Sequence, residues 1–413
     1  MENKDPPVIL FVELPMDPNY DSPFAQFGFE PDHPGPQVDP HPSRTAIIRT
    51  SDRITFRQCR RKWGWSSHLR GTVYGPMEHA SPLWFGTGMH YALEDFHGLK
   101  QFQNSKEAFQ AFVNATSRFS KHGGPKLPGD VQELIQLGHG MLNYYEHWLE
   151  TRPPLTTFIW MGKPQVEVHV LINIDINLLP DWIKEHWDEV LYAATFDRVV
   201  VDEYNRLWIV EYKTAKRIEW FHLPTDPQVT AYCWLASRMY DAPIAGVIYQ
   251  QHRKEIPEGP RVLADGRVST QTSGTTYTKY RHTMQSIYGG NSDRWPSPNI
   301  DALNQLMKEE NDTKDLFIQR DKVQRSQHQI EAEGTKVLLE LEDMLNPNLP
   351  LYPNPNRMFC SWCNFQHACI DMDDGADWQS DLEMEFKPQP SERDTWRKYL
   401  VLPSQYAHSE AST

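Results

Sequence analysis

Two β-rich runs, residues 193–201 and 207–213, carry charges where buried strands rarely do, and they constrain this chain more than any other feature. The first sets Thr195, Phe196, Asp197 and Arg198 ahead of three valines; the second sets Trp208, Ile209 and Val210 ahead of Glu211, Tyr212 and Lys213. β-Branched and aromatic residues at this density favour pleated, inward-facing strands. The separator at 202–206 holds Asp202 and Asn205, which suit a turn, so the runs should close as an antiparallel hairpin. Side chains alternate along a strand, so Glu211 and Lys213 share a face with Tyr212 opposite, and the hairpin can bring Asp197 beside them. A surface hairpin with an ordinary ion pair would show the same charges. The flanking apolar residues instead make these strands central, where a charge needs a partner or a task. Two carboxylates on an oxygen-rich site suit a hard cation such as Mg2+ or Mn2+. A nearby lysine can orient or deprotonate a metal-held water and offset charge on a phosphate.

The surroundings have a consistent order. Residues 49–69 read as helical and basic, followed by helices over 83–100, 105–121 and 131–151. The last of these puts Leu134, Leu137, Met141, Tyr144, Tyr145 and Trp148 on one stripe. Residues 165–173 alternate as a strand, 226–240 read as a helix and 244–251 as a strand. This is a mixed α/β chain, not a doubly wound one. The expected division is a Pro-rich disordered arm over 1–45, a helical part over 46–160 and a core over 161–253. An inserted loop or hairpin over 254–300, a helical part over 301–372 with an amphipathic helix or helical pair at 301–345, and an acidic tail over 373–413 follow.

Two helical pairs extend the candidate site. Gln228 and Tyr232 lie four residues apart on one helix face. His90 follows Gly86 and Gly88 and precedes Glu94 by one turn, and imidazole is a competent Mn2+ ligand.

Taken together and in this order, these elements resemble the PD-(D/E)xK nuclease superfamily, and within it the RecB-type branch with its CRISPR-associated adaptation nucleases and phage exonucleases. The resemblance covers about residues 49–252 and 315–372. It implies a restriction-endonuclease-like mixed central sheet flanked by helices. It also implies metal held by His90, Asp197, Glu211 and the Tyr212 carbonyl, a water positioned by Lys213, and support from Gln228 and Tyr232. Ala194 and Thr195 stand where the family often has Gly before the Asp. Cys59, with Cys360, Cys363 and Cys369 far downstream, looks like the iron–sulfur staple of this branch, a 4Fe-4S cluster joining the N- and C-terminal helical parts. Two alternatives stand beside it: a local zinc site of Cys360, Cys363, His367 and Cys369, and plain buried thiols. Cys233 reads as core.

Lys and Arg number 41 against 55 Asp and Glu, a net charge of −14. A uniformly basic coat for nucleic acid is therefore excluded, while local basic grooves are not. Candidates for DNA contact are Arg57, Arg60, Arg61 and Lys62 with Trp63, then Lys216 and Arg217, then Lys279 and Arg281. Interleaved cations and rings suit single-stranded DNA. The expected function is a metal-dependent DNA nuclease, an exonuclease on single-stranded or end-processed DNA in recombination or repair; the alternative is a non-catalytic scaffold subunit of a helicase–nuclease complex. No Gly-x4-Gly-Lys-Ser/Thr loop is present, so a helicase would be a partner. No apolar run approaches the ~20 residues of a membrane span, and residues 1–30 lack a signal pattern. The expected location is the cytoplasm of a prokaryote or of a phage-infected host.

Overall fold

In the computed structural model, residues 8–12, 44–70, 74–76, 80–240, 242–311, 316–388 and 397 are described. The main sheet is built from β1 (Val8–Val12), β2 (Thr45–Arg49), β3 (Val166–Ile174), β4 (Glu189–Val201), β5 (Leu207–Ala215), β6 (Ile244–Arg253) and β7 (Ile318–Gln324), with the short Thr156–Thr157 on the end of β4. Their order is β1-β3-β4-β5-β6-β7. β1 is parallel to β3, β3 and β5 are antiparallel to β4, β6 is parallel to β5, and β7 is antiparallel to β6. The sheet is therefore mixed.

β4 is long enough to serve two neighbours on one edge. β2 pairs with its first part, from Thr45↔Glu189 to Arg49↔Ala193, and β5 with its last, from Arg198↔Val210 to Val201↔Leu207. Among the described residues no strand pairs with 194–197 on that edge. β2 and β5 thus diverge at a fork beside Asp197.

Helices cover both faces. On one lie α3 (Ser81–Glu94), α4 (Ser105–Lys121) and α5 (Val131–Glu150). Their Trp84, Phe85, Phe109, Phe112, Met141 and Tyr145 pack against Trp208, Val210 and Ile248. On the other lie α6 (Pro227–Met239) and α9 (Gln327–Leu345), whose Trp234, Leu235, Val337 and Leu341 meet Ile172, Tyr192, Phe196 and Val247. Glycine permits the closest helix contacts: a Cβ at Gly88 would lie 2.7 Å from the Phe109 and Phe112 rings, and one at Gly334 would lie 2.5 Å from the Trp234 ring nitrogen. Among the described residues no helix is long and apolar enough to cross a membrane.

Several elements differ from expectation. The single helix at 49–69 is two, α1 (Thr50–Gln58) and α2 (Arg60–Ser66), because Cys59 is extended and its Sγ accepts the Lys62 N–H at 3.5 Å as a cap for α2. Residues 254–300 are more than a loop: α7 (Tyr277–Tyr288) and α8 (Ser297–Asn311) enclose a small core of their own with Val268, Tyr280, Met284, Trp295 and Leu306. The helical reading of 301–345 is interrupted by β7, an edge strand whose consecutive charges Arg320, Asp321 and Lys322 hide its period. In the expected disordered arm, Val8–Val12 forms a strand, while 13–43 lie outside the described residues. In the expected acidic tail, α11 (Trp378–Glu385), which follows α10 (Gln366–Asp374), is folded. The strand Phe386–Pro388 pairs with Tyr74–Pro76, while Leu382 and Phe386 pack on Trp65 and Phe365.

Candidate metal centre

Asp197 owes its position to a slip in the pleat. Phe196 and Val199 enter the same core although three residues apart, and Val200 enters the other. Asp197 sits at that slip, at the fork, where its Oδ2 accepts the Tyr212 N–H at 2.7 Å in place of a ladder bond. The pair following Arg198↔Val210 in this register is Asp197 and Glu211, so the two carboxylates face across the hairpin. On the other edge of β4, Glu167 stands opposite Asp197 between the pairs Val166↔Arg198 and Val168↔Phe196. Its φ of +46° is a strained conformation for a residue with a side chain, and it re-aims the carboxylate. From α3, His90 Nδ1 lies 3.0 Å from Asp197 Oδ1. One ligand atom each from His90, Glu167 and Asp197 lie within 4.8 Å of one another, a span one hard cation can bridge.

Glu211 is 3% exposed. Its Oε1 meets the Lys213 ammonium and accepts from Gln228 Nε2 at 3.2 Å, and Gln228 also reaches the Tyr232 hydroxyl at 2.7 Å. Glu211 Oε2 is buried with no hydrogen-bond partner. Glu211 stands outside the set that lies within 4.8 Å, and its orphaned oxygen adds beside that set a further donor of the kind a Mg2+ or Mn2+ ion takes.

The charges agree. Burial, with Asp197 and Glu94 nearby, pushes the Glu167 carboxyl up to about 8. Burial, opposed by Lys213 and reinforced by Asp197, pushes Glu211 up to about 7. Burial works against a charged His90, but Asp197 beside it prevails and raises the imidazole to about 9. Burial likewise opposes the Lys213 charge, and Glu211 and Asp197 outweigh it, so the ammonium is held firmly. Burial would raise Asp197, yet His90, Lys213 and the Tyr212 N–H keep it below the usual carboxylate value. Near neutrality the centre therefore keeps protons on His90, Glu167 and Glu211, and a divalent cation would displace them.

The sequence profile of the PD-(D/E)XK nuclease superfamily matches residues 51–370. The chain belongs to the PD-(D/E)XK nuclease superfamily. The match encloses the whole centre, from His90 to Tyr232, and membership in the PD-(D/E)XK superfamily implies phosphodiester hydrolysis with divalent metals. No curated protein matches the chain.

The structure brings together His90, Asp197, Glu211, Lys213, Gln228 and Tyr232, while the Tyr212 ring turns to the opposite face. Glu167 is the residue that sequence reading passed over. Its signal was the carboxylate in an alternating valine strand, one face away from the core. Glu94 is held instead by Arg397, at 2.7 Å.

The first basic cluster needs correction as a DNA surface. Arg57 pairs with Glu340, Arg60 with Asp343 at 3.1 Å and Arg61 with Asp373 at 2.8 Å; Trp63 is buried and Lys62 half-buried. These cations bind α9 and α10 because those helices carry the matching acids. Lys216 and Arg217, just beyond β5, and Lys279 and Arg281, on α7, are exposed.

Arg61 also donates to Cys369 Sγ at 3.2 Å, and Cys59 is close enough for its charge to act on the Cys369 thiol. Among the described residues no thiol belongs to a set of three ligand atoms within 4.8 Å. That counts against the zinc alternative, since a tetrahedral zinc spaces its sulfurs by ~3.8 Å given its bond lengths, and the four cysteines expected to hold an iron–sulfur cluster are likewise not gathered into one set. His367 instead faces Glu385 at 3.1 Å. Cys233 is core, its thiol pushed up to about 12 by burial.

Proposed function

We propose that the chain is a Mg2+- or Mn2+-dependent deoxyribonuclease acting as an exonuclease on single-stranded or end-processed DNA, in recombination or repair. The observation that carries this reading is the convergence of His90, Glu167 and Asp197 within 4.8 Å, beside the orphaned Oε2 of Glu211. Those four side chains, with the Tyr212 carbonyl by family resemblance, would hold the ion. When bound, such an ion polarises the scissile phosphate and acidifies its water. Lys213 is kept protonated by two carboxylates, so it donates a hydrogen bond and positive charge to water and phosphate and does not itself take the proton. Gln228 fixes the Glu211 carboxylate, and Tyr232 fixes Gln228.

DNA would approach over Lys216 and Arg217, with Lys279 and Arg281 as outlying cations. Between Arg217 and α6, Trp220 and Phe221 are 62% and 71% exposed, rings on which bases can stack. The test is Mn2+-dependent digestion of DNA labelled at either end. Stepwise release of nucleotides from one end is expected, lost in Lys213→Ala with the fold retained; substantial metal-dependent cleavage by Lys213→Ala overturns the assignment.

A 4Fe-4S cluster on Cys59, Cys360, Cys363 and Cys369 belongs to the same proposal. Supporting it are the nearness of Cys59 to Cys369 and the Arg61 N–H donated to Cys369 Sγ, since thiolates on iron accept such bonds. Iron and sulfide analysis of anaerobically purified protein decides it: about four irons per chain are expected, and their absence ends the cluster reading while leaving the nuclease reading intact. A helicase partner would supply unwinding.

A further inference from the structure

Behind the strand pair that carries the metal centre lies a cavity of about 590 Å³ whose lining includes Phe96, His97, Lys100, Phe102, Thr157 and Arg198. Its size falls within the range of small-molecule sites, roughly 300–1,000 Å³. Arg198 immediately follows Asp197 but, across the pleat slip, points to the opposite face. It is 4% exposed, and its partners are neutral: Thr157 Oγ1 at 2.9 Å, the Leu155 carbonyl at 2.5 Å and the Tyr212 hydroxyl at 3.5 Å. A second guanidinium, Arg320, donates to Gln250 at 2.5 Å and lies over the Trp148 ring. Among the described residues neither arginine has a carboxylate partner. Burial, then the charges of Arg198, Arg320 and Lys100, hold the His97 imidazole in its neutral form. Buried cations are ordinarily paired, so this pocket has a positive field and nothing in place to neutralise it.

The wall is preformed. After α3 the chain continues as a π-helical turn, Asp95–Leu99, a feature that clusters at functional sites. Lys100 then takes a left-handed conformation with φ of +49°. The buried Asp95 carboxylate spends its oxygens on the N–H groups of Gln101 and Phe102, at 2.8 and 3.2 Å, which fixes the loop bearing Lys100 and Phe102. One side of the cavity therefore offers a guanidinium and an ammonium, the chemistry that holds phosphate. Phe96, Phe102 and His97 offer rings that can hold a flat heterocycle.

We propose that this cavity binds a nucleoside monophosphate, the phosphate on Arg198 and Lys100 and the base among Phe96, His97 and Phe102. The site is separate from the metal centre and does not depend on the nuclease reading. It is joined to that centre, because His97 stacks on the Tyr212 ring and the Tyr212 N–H holds Asp197.

The test is titration of the full-length protein with 2′-deoxyadenosine 5′-monophosphate by calorimetry and thermal shift, in EDTA so that no metal binds phosphate at the acid centre. Saturable binding is expected, at least tenfold tighter than for inorganic phosphate or deoxyadenosine alone. Lys100→Gln should weaken it at least tenfold. Arg198→Gln should abolish binding; since Arg198 also ties down Leu155 and Thr157, the exposed Lys100 keeps the test decisive if that variant fails to fold. No saturable binding, equal binding of inorganic phosphate, or indifference to Lys100→Gln would each overturn the proposal.

Discussion

At the scale of single residues, the centre stores its chemistry in carboxyls that are uncomfortable without a cation. Glu167 is half-buried, strained in φ and pushed up to about 8, so its place in the fold is not explained by stability. Glu167→Gln should leave the protein as stable or slightly more so, yet raise the Mn2+ concentration needed for half-maximal cleavage by about 10–100-fold, the usual cost of disturbing a ligand set. A Mn2+ titration of cleavage, paired with urea unfolding, checks both halves. Protons compete for the same atoms. Without metal, His90 (about 9), Glu167 (about 8) and Glu211 (about 7) hold protons near neutrality, and an ion must displace them. Apparent Mn2+ affinity should therefore rise from pH 6.5 to pH 8.5, with protons released on binding. Calorimetry in buffers of different ionisation enthalpy reads that release directly; an affinity flat across the interval would count against this ligand set.

At the scale of elements, the basic helices α1 and α2 show how charge patterns mislead. Arginines at 57, 60 and 61 read as a nucleic-acid face, yet they meet acids on α9 and α10 about three hundred residues later, and no local periodicity announces such a pairing. Arg53 is buried against Glu333 at 3.0 Å and Glu340 at 2.7 Å. Arg53→Ala would leave the buried Glu333 only the longer contacts of Arg57 at 3.8 Å and Lys336 at 3.7 Å and should cost about 3 kcal/mol, whereas the more exposed Arg57→Ala should cost under about 1 kcal/mol. Denaturant midpoints separate the two. By contrast, Lys216→Ala and Arg217→Ala should leave stability alone and each lower the salt dependence of DNA binding by about one unit of slope. The strands of the core were legible because alternation and β-branched density are local signals; Asp197, Glu211 and Lys213 were legible because charge inside such a strand is conspicuous. β7 was not, since an edge strand of alternating charges imitates a helix face, and Glu167 was not, since its direction depends on a backbone reversal opposite Asp197.

At the scale of the whole molecule, the sheet separates two electrostatic compartments, acidic on the metal face and cationic behind it, and pH should pull on them in opposite directions. Behind the sheet, burial, Arg320 and His90 depress His252 to about 3, and burial with Arg198, Arg320 and other cations holds His97 well below its ordinary value. Folded pKa values depressed below 6.5 mean that the unfolded chain takes up protons the folded one refuses. For His252 this stability is complete above pH 6.5 and is lost as pH falls toward about 3, by about 1.4 kcal/mol per unit, and His97 acts in the same direction. On the metal face the sign reverses: Glu167 is raised from 4.5 to about 8, so its contribution is present below pH 4.5 and lost as pH rises through 8. A bound ion cancels that second loss and leaves the first untouched. Urea unfolding from pH 5 to pH 8.5, with and without Mn2+, should therefore show an acid limb that metal does not change and a neutral-to-alkaline limb that it lifts. His252→Gln should flatten the acid limb. A metal effect that was uniform across the whole range would mean that the two compartments are not electrostatically separate.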